Sequence, residues 1–130
     1  MTEIIDRDRA VELLEKVVEA KGRDYIYESP LNEHGQQIGC VYFGPNNCPA
    51  CVVGHVFAEL QVKPGDVHAM GEDGTADGPG NSLGVEGIVI DNVEMTSAAR
   101  EVFQMAQERQ DEGNRWGDAL DAAKDLAVTL

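Results

Sequence analysis

The chain has 130 residues, 42% of them hydrophobic, an ordinary value for one globular domain built around one core. Its 24 acidic and 10 basic residues give a formal net charge of −14 at pH 7, which argues against direct nucleic-acid binding and against docking on an anionic membrane. No run approaches the ~18 apolar residues of a membrane span, and the first eight residues lack the basic-then-apolar order of a secretory leader, so a cytoplasmic protein is expected.

Residues 6–21 read as a helix. Asp6 or Asp8 can cap it, Ala10, Leu13, Leu14, Val17 and Val18 form one apolar stripe, and Gly22 stops it. Asp24 to Glu28 alternates and is rich in β-formers, which predicts a short strand. Residues 29–35 are a loop, and Gly39 to Phe43 is a second strand, placed to form an antiparallel hairpin with the first.

The stretch from Cys48 to Leu60 is the most continuously apolar run in the chain. Asn46 or Asn47 as cap, Pro49 in the first turn, and Val52, Val53, Val56, Phe57 and Leu60 at helical spacing predict a buried helix ending near Leu60 or Gln61. Gly54 lowers helix propensity and marks a close approach by another backbone. Cys48, Cys51 and His55, spaced three and four apart, would share one stripe of that helix. With Cys40 from the preceding strand they make a candidate tetrahedral zinc set. The pattern holds one Cys-x2-Cys pair where a strong zinc signature has two pairs, so the competing reading is simpler: buried thiols that pack as small hydrophobes. Cys51 as a nucleophile with His55 as its base is a third reading, lacking an orienting group and an oxyanion loop. Three cysteines, an odd number, fit reduced thiols.

Pro64-Gly65 marks a turn. Residues 71–84 are expected to be a mobile acidic Gly-rich loop. Asp73, Thr75, Asp77 and Gly78 imitate half of a calcium loop, but its twelfth position is Gly84 instead of the bidentate Glu. Val85 to Ile90 is a third strand and Asp91-Asn92 a turn. Thr96 or Ser97 caps a helix to about Glu112, and Gly113-Asn114 joins it to a last helix over 115–128. Trp116 beside that joint reads as a core plug.

Two segments carry a resemblance. Pro49-Ala50-Cys51-Val52-Val53-Gly54-His55-Val56-Phe57-Ala58-Glu59-Leu60, with Gln107-x2-Gln110-Asp111-x-Gly113-x2-Trp116-Gly117 inside residues 106–120, resembles small uncharacterised proteins of actinobacteria and their phages. The resemblance implies an accessory role in a bacterial cytoplasm, the host's if the chain is phage-encoded. It carries no activity. In that pattern only Cys51 recurs among the cysteines, which weakens the zinc reading.

The expected architecture is α+β, one domain of about four helices on a small two- or three-stranded antiparallel sheet. The charge and the incomplete catalytic sets point to a non-enzymatic acidic protein that binds a basic protein surface. A variant of this reading is mimicry of nucleic acid; a zinc-stabilised binding domain is the main rival. A homodimer sharing the apolar central helix is a further expectation.

Overall fold

The computed structural model describes residues 3–28, 34–36, 41–44, 48–81 and 83–130. The chain is α+β. Helices α1 (Arg7–Lys21), α2 (Val52–Glu59), α3 (Ser97–Asp111) and α4 (Trp116–Val128) pack beside a five-stranded sheet of β1 (Glu3–Ile5), β2 (Val67–Met70), β3 (Ala76–Pro79), β4 (Ile88–Ile90) and β5 (Val93–Met95). The strand order is β1-β5-β4-β2-β3. β1 runs parallel to β5, and the other neighbours are antiparallel.

This corrects the small antiparallel sheet expected from sequence. The predicted strand over residues 24–28 does not form, because its backbone has another task. The carbonyls of Arg23 and Tyr25 accept the N–H groups of Gly117 and Trp116, at 2.9 and 2.8 Å, and so satisfy donors at the start of α4. Of the second predicted strand, residues 39 and 40 lie outside the described residues. Val41 to Phe43 folds back on its own continuation: Ala50 donates to the Tyr42 carbonyl, Cys51 to Val41, and Phe43 bridges Pro49. The third predicted strand is half right. Val85–Gly87 is a 3-10 turn and Ile88–Ile90 is β4.

The helices follow their sequence signals. Asp6 Oδ1 accepts the Arg9 N–H at the start of α1, and Thr96 Oγ1 accepts the Ala99 N–H at the start of α3. Gly22 and Gly113 end α1 and the α3 turn with φ of 102° and 89°, which glycine adopts without a Cβ penalty. α3 lies at the centre, touching α1, α2, α4, β5 and the 3-10 turn before β4.

Strand pairing separates the two faces of the sheet. Ile5, Val67, Ile88, Ile90 and Met95 point to the helices and are buried. Their strand neighbours point the other way by the two-residue pleat. Within residues 71–84, Gly71 N–H donates to the Thr75 carbonyl and Asp73 Oδ1 accepts from Thr75 N–H and Oγ1–H, closing the β2–β3 hairpin. Those two bonds hold the Asp73 carboxyl below the usual carboxylate range. β3 carries one extra residue opposite β2, and Gly78 there has φ 91°.

Candidate functional site

α2 begins at Val52, three residues later than Pro49 in a first turn would place it, and its cap is Cys51. Asn46 and Asn47, the expected caps, lie outside the described residues. Cys51 Sγ accepts the Gly54 N–H at 3.3 Å, and the thiol is 0% exposed. Next to it, Gln110 Oε1 on α3 accepts the buried Val52 N–H at 2.7 Å. Two of the helix's orphan donors are thus satisfied by Cys51 and by Gln110 of α3. Gly54 is the close approach that its sequence position implied: a Cβ there would lie 2.0 Å from the Tyr42 carbonyl oxygen.

The Trp116-Gly117 pair is explained the same way. Trp116 is fully buried, and a Cβ on Gly117 would lie 2.7 Å from Arg23 Cβ and 2.9 Å from its carbonyl oxygen. These motif residues clamp α2, α3 and α4 to one another and to residues 23–25 and 42.

Cys48 precedes the helix and is exposed, whereas Cys51 is buried at its cap. The expected shared stripe of Cys48, Cys51 and His55 therefore does not form. The structure brings Cys48 and His55 into the wall of one cavity of about 220 Å³, with Lys21, Tyr25 and Glu28. His55 also lines a second depression of about 210 Å³ between α1 and α2. Its ring meets Trp116 edge-on at 5.2 Å, Trp116 meets Tyr25 at 4.6 Å, and Lys21 Nζ stands 4.6 Å over the Tyr25 ring. Burial, then the Lys21 charge, push the His55 pKa below its ordinary value. Cys40 lies outside the described residues. Among the described residues, no three of His, Cys, Asp and Glu gather as ligands for a metal ion. As a nucleophile Cys51 would need an open path to substrate, and its sulfur is sealed against Gly54. A depression of about 910 Å³ lies elsewhere, between the end of α2 and the Pro64–Asp66 turn. There Asp66 Oδ2 accepts the Lys63 backbone N–H at 3.0 Å.

The strongest organised feature is the placement of charge. Between Pro64 and Ala99 the sequence holds seven acids (Asp66, Glu72, Asp73, Asp77, Glu86, Asp91 and Glu94) and no lysine or arginine. That segment contains β2, β3, β4 and β5. On the helical side, basic residues meet acids: Lys16 with Glu59, Arg23 with Asp121, Arg109 with Glu112, Lys124 with Glu15. Arg100, the first cation after the gap, reaches toward the sheet but gives its guanidinium to the carbonyls of Val85 and Ile88 at 2.8 and 2.7 Å. The sequence reading saw the total charge and missed its segregation, although the 36 positions without Lys or Arg are visible in the sequence.

The fold and the charge pattern define an α+β protein in which the cation-free segment carrying β2 to β5 holds seven of the 14 net negative charges in 36 residues. No protein-family model, curated protein or solved structure matches the chain. Among the described residues no helix is long and apolar enough to cross a membrane.

Proposed function

We propose that this chain is a non-enzymatic interaction protein that binds a basic surface on another protein. The observation that carries the reading is the cation-free sheet segment from residue 64 to 99. Lys16, Arg23, Arg109 and Lys124 meet acids and Arg100 meets carbonyls, so these cations do little to offset the negative potential of the sheet segment, which steers a basic partner toward it. The resemblance to small proteins of actinobacteria and their phages suits an accessory factor acting on a host protein.

The test is affinity capture from an actinobacterial lysate at rising ionic strength. A variant with Glu72→Gln, Asp77→Asn and Glu94→Gln is run beside the parent. The expected result is a basic protein retained by the parent, released by salt and weakly held by the variant. Retention that ignores both salt and the three substitutions overturns the proposal.

A further inference from the structure

Among the described residues, the helices pack on one face of the sheet. On the other, β-pairing sets Ile4 beside Glu94, His68 beside Val89 and Pro79, and Met70 beside Ala76. Ile4 is 65% exposed and Met70 37%. Near the middle, His68 Nε2 meets Asp91 Oδ1 at 3.2 Å. Across this face the order is Ile4 on β1, Glu94 on β5, Val89 on β4, and His68 and Met70 on β2, so apolar side chains alternate with Glu94 and the His68–Asp91 pair. Four strands at ~4.8 Å spacing make a platform about 14 Å wide, which suits one helix about 10–12 Å across.

Resting on the reading of the protein as a binder of basic partners, we propose that this open sheet face is the docking surface, and that its occupant is a basic amphipathic helix of another protein. The helix lays its apolar stripe along Ile4, Val89 and Met70, and its flanking Lys and Arg side chains reach Glu94, Asp91, Glu72 and Asp73. Charge selects this occupant over a second copy of the chain. A second copy would bring the same cation-free acidic segment against itself, and like charges across an interface oppose association.

The probe is a synthetic helical peptide with leucine at the core-facing positions and lysine elsewhere. It is titrated into the isotope-labelled full chain while backbone amide shifts are followed. The expected shifts centre on Ile4, His68, Met70, Val89 and Glu94. Ile4→Ser with Met70→Ser, both at exposed positions, should weaken binding by about tenfold or more while leaving the salt dependence and melting temperature in place. Glu94→Gln with Glu72→Gln should flatten the salt dependence. Shifts on α1 and α4, or along the β3 edge as in strand addition, overturn the docking surface but leave a basic partner standing. So does undiminished binding by the Ser variant. No peptide binding even at low salt overturns both. Concentration-dependent perturbation of the same amides without peptide overturns the choice of occupant in favour of a second copy.

Discussion

Gly54→Ala is the sharpest probe of how α2 is held. In an open helix this substitution stabilises by about 1 kcal/mol. Here the new Cβ would sit 2.0 Å from the Tyr42 carbonyl oxygen, 2.8 Å from its carbon and 2.9 Å from its Cα. An ordinary carbon–oxygen contact is about 3.3 Å or more, so the helix and the Val41–Phe43 segment must part by roughly 1.3 Å. Tyr42 cannot yield cheaply. It is fully buried, its N–H donates to the Asn81 carbonyl, and its own carbonyl already accepts from Ala50. Overpacking of this kind costs about 1–3 kcal/mol, and a lost backbone hydrogen bond about 1 more. Against the propensity gain, the net is a loss of about 1–3 kcal/mol. For a chain of this length that lowers Tm by about 4–12 °C. Gly87→Ala is the control, since its Cβ meets nothing within 4 Å. It should melt with the parent or slightly above it. The assay is thermal unfolding of all three proteins by circular dichroism. If Gly54→Ala melts no lower than the parent, the Tyr42–Gly54 contact is not as described and the account of α2 fails with it.

Three more outcomes follow from the same geometry. Cys51→Ser should fold and melt close to the parent, because serine is a favoured cap, whereas Cys51→Ala should lose about 0.5–2 kcal/mol in denaturant titration. Native mass spectrometry of the purified chain without added metal should read the bare mass; one extra zinc per chain would restore Cys40, Cys48, Cys51 and His55 as a ligand set and refute the capping account of Cys51. For His55 the sign runs through its depressed pKa. The unfolded chain takes up a proton near the ordinary value of 6.5 and the folded chain only below it, so stability present above that pH is lost as pH falls through it. His55→Gln should therefore show a smaller fall in Tm between neutral and mildly acidic pH than the parent. Equal falls would place His55 in a more solvated setting.

Much of the helical half was legible because each helix carries its own local signal. Asp6, Gly22, Thr96 and Gly113 act within one turn of themselves, so a linear reading finds them. The sheet was not legible in the same way. β1 and β5 are three residues each and pair across almost the whole chain, Glu3 with Val93. Three residues cannot display a period, and no local pattern announces a partner ninety positions away. The error over residues 24–28 has the same origin: the β-forming composition of Tyr25, Ile26 and Tyr27 was real, but α4 claimed the carbonyls first. The expected stripe of Cys48, Cys51 and His55 does not form because α2 starts three residues late. A helix starting at Pro49 would have aligned Cys48, Cys51 and His55. Starting at Val52, it turns Cys51 into the core as a cap and leaves Cys48 outside.

The residues that make the sequence distinctive are therefore structural, and that bears on where function sits. Gln110 joins the Cys51-Val52-Val53-Gly54 segment to the Gln107–Gly117 segment through one buried bond to Val52. Proteins sharing both segments would share this clamp whatever they bind. The consequence can be tested as a double dissociation. Gln110→Met keeps the bulk but removes the acceptor, stranding the buried Val52 N–H at a cost of about 1–3 kcal/mol, or roughly 4–12 °C in Tm. Below its melting temperature this variant should bind a basic peptide as the parent does, because Gln110 belongs to the helical side and the sheet face is untouched. Glu94→Gln with Met70→Ser should show the reverse, a parental Tm with weakened binding. If Gln110→Met loses binding while still folded, the motif residues and the binding surface are one site, and the separation of a structural helical half from a cation-free binding half falls.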